Sequence, residues 1–330
     1  MGLTRFPNGI SSFGVPVMPG GGARFDGWWG TTRFVDYDDG SDSNGGLEPT
    51  DAYQNLQTAI NASSINDVVY IRNREQDITS TDPEAITPAS TANWSVAEGK
   101  THLSIIGASN VSHIPTMEGQ YAVYLKGHAT ANTNPVMNWR GAFGLIENLA
   151  FHSGGVTSGG HLNFDGNSTS LRALGSVVSN CLFRMSTQAA HGAVHNTDNW
   201  FITVYACTFH DCLFGVRMLG SASTLRRITI KGCLFRNQTV ASVDTNIRLA
   251  GTNGQAILID GCTFTTPVGT AGDGKLINIV DAMTGTICNC NFPIDTVEGS
   301  AATIVDNGLS QVNNNQAMWG ADTGPGGRVS

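Results

Sequence analysis

Histidine and cysteine are the side chains of this 330-residue chain that could bind a transition metal. His191 and His195 could share one strand face, with His210 further along, and imidazoles grouped in this way can hold zinc or nickel. Cys288 and Cys290 form a Cys-x-Cys pair, but no second thiol pair stands at the spacing of a zinc site. Histidines in such positions more commonly hydrogen-bond within loops. The sequence therefore predicts no metal site and no cofactor.

Acid–base chemistry would need carboxylates and bases at matched positions. The later part of the chain has two lysines, Lys231 and Lys275, and three acids that stand apart from one another, Asp244, Asp260 and Asp273. Hydrolysis of a glycosidic bond uses a pair of carboxylates. Elimination from an acidic sugar would use a base opposite a calcium ion held by several carboxylates. Because neither set can be assembled, we assign no catalytic residue and expect these side chains to be solvated.

A repeat positions most of the cysteines. It occurs six times between Asn148 and Phe292, and each copy ends in a Cys, any residue and a Phe, with Leu149 replacing the first Cys. Successive Cys positions lie 26, 26, 29 and 28 residues apart, and a period of about 20 to 50 residues is typical of solenoids and propellers. The recurring residues, which we predict to form structural ladders, are Cys181, Cys207, Cys233, Cys262 and Cys290, with Phe151, Phe183, Phe209, Phe235, Phe264 and Phe292.

The repeat also contains a predicted corner. A β-branched aliphatic precedes each Cys or Leu position by three residues, and in a continuous strand such a pair would face opposite sides. The chain must therefore bend if both point inward. The residue just before the Cys is Asn, Ala or Gly, and Asn and Gly tolerate a left-handed backbone. Strand, left-handed corner and strand together predict one edge of a coil of parallel strands, with a sandwich of antiparallel hairpins as the alternative.

This pattern resembles the right-handed parallel β-helix of the pectate-lyase-like superfamily, in which inward Asn, Cys, Phe and Ile side chains stack from turn to turn. The resemblance implies an all-β fold, a single-stranded parallel β-helix over residues 31–320, with first strands from Val68 to Ile71 and from Leu103 to Gly107. It also implies a short helix that caps the open end of the coil. Apolar spacing places this helix at about residues 50–62, with Thr50 as N-cap. We expect a long loop within residues 79–100 and a flexible tail at 321–330.

A second resemblance concerns the segment Asn196-Thr197-Asp198, which looks like the Asn-Thr-Asp motif of the polygalacturonases. That family next has an Asp-Asp pair, then Gly-His-Gly and Arg-Ile-Lys. Here Leu219-Gly220 stands near the place of the acid pair, and Arg227-Ile228-Thr229 lacks the lysine. We interpret the match as chance.

Charge, apolar runs and cysteine content indicate which partners and which cellular compartment to expect. The net charge of −8 argues against nucleic-acid binding, which needs a basic surface. No run of 18 apolar residues is present, so no membrane span is predicted. The odd number of cysteines and the lack of a signal peptide fit synthesis in a reducing host cytoplasm.

Residues 1–30 form an extended Gly/Pro-rich arm that cannot make a core of its own. It either lies on another surface or folds back over the first turn of the coil. The segment from Leu3 to Pro16 resembles the N-termini of virion-associated proteins of tailed bacteriophages. The aromatic side chains predicted to anchor the arm to a partner are Phe6, Phe13, Trp28 and Trp29.

Together these features predict a virion structural protein without enzyme activity. We predict a capsid decoration (cement) protein on the capsid surface that binds the major capsid protein or another virion protein through its arm. Flat sheets can pack around one axis, which predicts a homotrimer. The alternatives are a tail spike or fibre, and a carbohydrate-active β-helix, either polysaccharide lyase or glycoside hydrolase, with carbohydrate as the partner.

Overall fold

A computed structural model describes residues 30–72, 86–88, 93–108, 123–131, 133–153, 160–166, 173–184, 192–220, 225–236, 245–251, 254–265, 276–280 and 283–291, and the backbone of residues 10–12, 15–18, 275, 292–293, 305–306, 311–313 and 316–318. Three β-sheets make up nearly all of these residues, and the chain passes through the sheets in turn. One such turn, with one strand in each sheet, is a rung.

Sheet I has ten strands. They are β3 (Thr32–Val35), β4 (Val68–Arg72), β6 (Ser104–Ala108), β9 (Leu145–Glu147), β12 (Val177–Ser179), β15 (Thr203–Tyr205), β18 (Thr229–Lys231), β21 (Gly254–Asp260), β24 (Met283–Cys288) and β27 (Gln311–Asn313). Sheet II has eight strands. They are β7 (Val123–Lys126), β10 (Leu149–His152), β13 (Leu182–Arg184), β16 (Thr208–His210), β19 (Leu234–Arg236), β22 (Thr263–Phe264), β25 (Asn291–Pro293) and β28 (Gln316–Met318). Sheet III also has eight strands. They are β5 (Trp94–Val96), β8 (Met137–Trp139), β11 (Leu162–Asp165), β14 (Val194–Thr197), β17 (Val216–Gly220), β20 (Thr245–Gly251), β23 (Lys275–Ile279) and β26 (Val305–Asp306).

Strands of one sheet pair in parallel with the strands one rung before and one rung after. Val178 of β12, for example, pairs with Ile146 on one side and with Val204 on the other. Equivalent positions of the repeat therefore lie directly above one another at the strand spacing of about 4.8 Å. The fold is a right-handed parallel β-helix, and the fold prediction is confirmed.

The corner between sheet I and sheet II has the predicted left-handed backbone. In the first five corners the backbone N–H donates to a carbonyl of the next rung, as from Ala206 to Lys231 at 2.9 Å. The φ angles that give this geometry are 54° at Asn148, 49° at Asn180, 49° at Ala206, 61° at Gly232, 63° at Gly261 and 54° at Asn289.

The corner between sheet III and sheet I is also left-handed, although its residues are mostly not glycine or asparagine. Its backbone N–H groups again donate to the next rung, as from Phe201 to Arg226 at 2.8 Å. The residues with positive φ are Asn66 (68°), His102 (57°), Phe143 (56°), Gly175 (71°), Phe201 (61°), Arg227 (50°) and Ala256 (55°).

Ladders of side chains fill the interior. The rings of Phe151, Phe183, Phe209, Phe235 and Phe264 stack face to face, with centroids 4.8–5.1 Å apart and interplanar angles of 7–9°. Cys181, Cys207, Cys233, Cys262 and Cys290 are buried beside them, and all seven cysteines are free thiols. Phe292 lies in β25, and its side chain is outside the described residues.

A short helix, α1 (Leu56–Ala62), covers the N-terminal end of the coil. It buries Leu56, Ala59 and Ile60 against the first strands. The predicted start of this helix at Thr50 is wrong. Residues Pro49–Asp51 form a separate 3₁₀ turn, and the N-cap position is Asn55, whose side chain makes no capping bond. Tyr53 interrupts the helix because it pairs in extended form with β3, donating its N–H to the Phe34 carbonyl at 2.9 Å.

Two other predicted regions contain strands. Within residues 79–100, β5 belongs to sheet III and Ile86 forms a parallel bridge to Leu125, so this segment supplies part of a rung rather than only a loop. Within the arm, β1 (Ile10–Ser12) and β2 (Val15–Met18) pair as an antiparallel hairpin. The predicted anchors Phe6, Phe13, Trp28 and Trp29 and the tail 321–330 lie outside the described residues. In the described part of the chain, no helix is long and apolar enough to cross a membrane.

Candidate functional site

The outer face of sheet III carries a continuous row of polar side chains. Alternation along each strand turns the neighbours of these residues inward, so that in β11 Leu162 and Phe164 are buried and the residue between them faces outward. Strand register then aligns the outward residues of six rungs. The outer polar row consists of Asn138, Asn163, His195, Arg217, Arg248 and Asn278.

Hydrogen bonds order the first half of the outer polar row. The Asn163 amide nitrogen donates to the Asn138 amide oxygen at 3.2 Å. His195 is 4% exposed although it stands on the outer face, and its Nε2 lies 3.3 Å from the Thr197 hydroxyl. The amides and the imidazole can both donate and accept hydrogen bonds.

Two arginines give the second half of the row a positive charge. Arg217 and Arg248 are paired residues of adjacent strands, so their side chains leave the sheet about 4.8 Å apart. Burial lowers the pKa of the Arg217 guanidinium, and the charge of Arg248 lowers it further. Arg217 also lies over the Phe214 ring, 5.4 Å from its centroid. A half-buried pair of like charges favours an anion at this position.

The carboxylates near the row are not arranged for sugar hydrolysis. Asp165 accepts a hydrogen bond from Arg140 Nε at 2.6 Å. Asp198 is 1% exposed and takes a left-handed conformation at the end of β14. Asn196 is buried on the inner face, where its amide donates to the Asn199 carbonyl at 3.2 Å. Of the three residues that look like the polygalacturonase motif, Asn196 faces inward and Thr197 outward, because successive strand residues alternate between the two faces, and Asp198 lies beyond the end of the strand and is buried.

Lys231 and Asp260 form an ion pair, which corrects the expectation that Asp260 stands alone. They are paired positions on sheet I, and Lys231 Nζ lies 3.0 Å from Asp260 Oδ2. Asp260 also accepts a hydrogen bond from the Asn289 amide at 2.8 Å. This bond and the lysine lower the pKa of the Asp260 carboxyl, and the carboxylate in turn raises the pKa of Lys231. Asp244, Asp273 and the Lys275 side chain lie outside the described residues.

The suggested histidine cluster does not form from the described residues. The residue one rung after His195 is Arg217, not His210. His210 belongs to sheet II, where it pairs with Arg184 and lies 3.6 Å from the Asp211 carboxylate. His191 is not among the described residues. Within the part of the chain that is described, no three His, Cys, Asp or Glu side chains come together as a metal site would require.

Sequence inspection missed the outer polar row because the rungs differ in length. His195 and Arg217 are 22 positions apart, whereas Arg217 and Arg248 are 31 positions apart, yet both pairs are direct neighbours. The alternation of outward residues with inward aliphatic residues in each strand could have identified the members of the row. Loops of different lengths separate the strands, so these positions do not recur at a constant spacing in the sequence.

The chain is similar to several solved structures. No family model matches the chain, and no curated protein matches it. Similar solved structures include pectin methylesterase from Aspergillus niger, with 11% identity, a TM-score of 0.48, and coverage of 87% of this chain and 86% of that chain. A rhamnogalacturonan lyase has 13% identity, a TM-score of 0.42, and coverage of 87% of each chain. ORF18 of Geobacillus virus E2 has 16% identity, a TM-score of 0.42, and coverage of 72% of this chain and 48% of that chain.

Proposed function

We propose that this chain is a structural component of a tailed-bacteriophage virion, and specifically a trimeric head decoration protein anchored to the capsid by residues 1–30. The observation that carries the proposal is the continuity of the coil. Three sheets of eight to ten strands follow one another from β3 to β28, and one buried core extends from Val35 to Cys290. Hydrogen bonds between rungs hold every strand on both sides except the first and last of each sheet, which makes the coil a stiff rod that resists local opening.

Two further features support a structural role. The described carboxylates around the outer polar row are paired or buried, as Asp165 and Asp198 illustrate, so they are not available as an acid–base pair. The likeness of the segment from Leu3 to Pro16 to virion proteins of tailed phages supplies the biological setting.

The outer face of sheet I is suited to packing around a symmetry axis. Val177, Thr203, Thr229 and Leu258 follow one another in register along this face and are partly exposed. These short side chains form one flat column, which can pack against copies of itself around an axis, beside a second outward column that holds the Lys231–Asp260 ion pair. A homotrimer around this face is therefore the expected assembly.

Light scattering after size exclusion tests the assembly. We expect a mass three times the chain mass of 34.8 kDa, and a stable monomer would contradict the trimer. Thr229→Arg on the proposed packing face should shift the mass towards one chain, since three added charges would face one another. Thr286→Arg places the same charge near the far end of this face and should shift the mass less.

Binding to phage particles tests the anchor. Full-length protein should rebind to particles that lack it, and a variant without residues 1–30 should remain folded by circular dichroism but lose binding. A variant without residues 321–330 is the matched control and should bind normally. Normal binding by the arm-deleted variant would refute the anchor.

A carbohydrate-active protein is the second candidate, because Arg217 and Arg248 could hold an acidic sugar on the outer face of sheet III. Incubation with a panel of polyuronates, followed by measurement of new reducing ends and of unsaturated ends, tests this function. Activity that disappears in the Arg217→Gln, Arg248→Gln double variant would favour the enzyme. Absence of products across the panel would favour the structural role.

A further inference from the structure

A cavity of about 450 Å³ opens on the outer face of sheet I at the N-terminal end of the coil. Outward residues of β3, β4 and β6 line it together with the 3₁₀ turn that begins at Pro49. Its volume lies within the range of about 300–1,000 Å³ that is usual for ligand pockets. The residues of this cap cavity that matter for binding are Phe34, Asp36, Pro49, Tyr70, Arg72 and Ala108.

Two aromatic rings supply much of the apolar surface of the cap cavity. Phe34 and Tyr70 are paired positions of adjacent strands, and their rings stack with centroids 6.1 Å apart and an interplanar angle of 22°. Both side chains are only partly buried. The parts of the two rings that line the cavity can take a further aromatic ring in an edge-to-face contact, which does not need an open ring face.

An ion pair forms the charged side of the cap cavity. The Arg72 guanidinium donates to Asp36 and, at 3.1 Å, to Asp39. Asp36 also accepts the backbone N–H groups of Asp38 and Asp39 at 3.1 and 3.2 Å. Burial opposes ionisation, but these hydrogen bonds lower the pKa of the Asp36 carboxyl. Two carboxylates thus meet one guanidinium, so the group as a whole is negative.

The loop around the cap cavity adds to this negative charge. Residues 36–51 contain six acidic residues and no Lys, Arg or His. The Asp39 side chain is 76% exposed, and Glu48, next to Pro49, is also exposed. Such a concentration of one sign of charge attracts cations to the surface. A ligand that matches the cavity therefore combines an apolar group with positive charge.

We propose that the cap cavity binds a basic segment of a partner protein, with one aromatic side chain of that segment in the cavity. Lysine or arginine residues beside the aromatic residue pair with carboxylates such as those of Asp39 and Glu48. Nucleic acids and acidic polysaccharides carry the wrong sign of charge for this surface. Residues 1–30 directly precede β3, so the partner of the arm is the protein expected to supply the segment; this identification rests on the proposed function.

Isothermal titration calorimetry of the full chain with a capped peptide, one phenylalanine between two pairs of lysines, tests the proposal. We expect the peptide to bind at low ionic strength and to bind more weakly as salt is added. The same peptide with glutamates in place of the lysines should bind at least about tenfold more weakly, and the peptide with glycine in place of phenylalanine at least about fivefold more weakly.

Substitutions in the full chain locate the binding site. Ala108→Phe fills the cavity from an exposed position at the end of β6, so it should weaken peptide binding at least about tenfold without lowering the melting temperature. Asp39→Asn should weaken binding about twofold to fivefold. The matched controls are Glu98→Gln, at an exposed carboxylate elsewhere, and Tyr205→Ser, at an outward tyrosine of sheet I four rungs after Tyr70. Both should bind as the wild type does.

Three results would overturn the proposal. The first is no binding of the lysine peptide, or equal binding of the glutamate peptide. The second is normal binding by Ala108→Phe. The third is binding that appears only when Phe6 and Phe25 of the arm are replaced by serine, which would assign the cavity to the chain's own arm.

The peptide titration contains no phage particle, so it is independent of the virion proposal. A chain that binds the lysine peptide but does not rebind to particles retains the cavity proposal and refutes the virion proposal. A chain that rebinds to particles but not to the peptide does the reverse.

Discussion

Exchanging glycine and alanine at the corner between sheets I and II should change stability in opposite directions. Ala206 and Gly232 occupy equivalent positions of successive rungs, with φ angles of 49° and 61°. The N–H of each donates to the next rung at 2.9 Å, to Lys231 and to Asp260. Neither Ala206→Gly nor Gly232→Ala removes a hydrogen bond or a large side chain, so each variant isolates the backbone conformation.

The magnitude follows from two opposing terms. An L-residue pays about 1–2 kcal/mol in the left-handed region, and glycine pays about 0.5–1 kcal/mol more conformational entropy on folding than alanine. Ala206→Gly should therefore raise the free energy of unfolding by about 0.5–1 kcal/mol, and Gly232→Ala should lower it by a similar amount. A Cβ at Gly232 would meet no atom within 4 Å, so no steric clash enlarges the second value.

Urea unfolding followed by circular dichroism measures both changes as shifts of the midpoint at constant slope. Gly261→Ala serves as a replicate, since its Cβ would meet only the Gly232 nitrogen, at 4.0 Å. Gly107→Ala is a contrasting variant, because its Cβ would lie 2.0 Å from the Asn148 carbonyl oxygen and should cause a much larger loss. A destabilising Ala206→Gly, or a neutral Gly232→Ala, would refute the left-handed corner as the source of the effect.

Three other predictions concern the interior. Burial, with a smaller contribution from His152, lowers the pKa of His161 to about 3. As pH falls below about 6.5, the unfolded chain therefore takes up this proton before the folded chain does. The free energy of unfolding should drop by about 3 kcal/mol between pH 7 and pH 4. The urea midpoint of His161→Gln should therefore fall less between pH 7 and pH 4 than the midpoint of the wild type. Identical pH profiles for the two proteins would contradict the assignment of this proton to His161. A thiol reagent should modify at most Cys288 in the native protein and all seven cysteines after denaturation, because the other six are buried; rapid native reaction of more than one thiol would refute this. Phe209→Ala removes a ring stacked on both faces and should cost about 3–5 kcal/mol in urea unfolding, so a loss below about 1 kcal/mol would count against the ladder.

The sequence predicted the coil because one local rule recurs in every copy of the repeat. An inward aliphatic residue, a corner residue that tolerates a positive φ and an inward Cys or Leu together require a bend of fixed kind. Val178, Asn180 and Cys181 show this rule in one rung, and the observed φ of 49° at Asn180 confirms it. The start of α1 was less predictable, because the strand pairing of Tyr53 overrides a helical spacing that looks continuous in the sequence.

The candidate sites depend on loop lengths, which the sequence does not translate into register. His195 seemed to approach His210, but its neighbour across the strands is Arg217. Asp260 seemed isolated, but the register sets it beside Lys231. In both cases the strand register decides which outward side chains are neighbours. Differences in loop length change the sequence spacing between such neighbours.

The sequence by itself thus determined the repeating rung, its left-handed corner at Asn and Gly positions, and the buried ladders, because these follow from one local rule that recurs in each copy of the repeat. Only the tertiary structure decided the outer polar row and the left-handed corner between sheet III and sheet I. The corner between sheet III and sheet I adopts positive φ at Phe143 and Phe201 because their N–H groups donate hydrogen bonds to carbonyls of the adjacent rung and hold the backbone there. Such bonds join residues far apart in the chain and overcome the local preference of an aromatic residue, so no local pattern could reveal them.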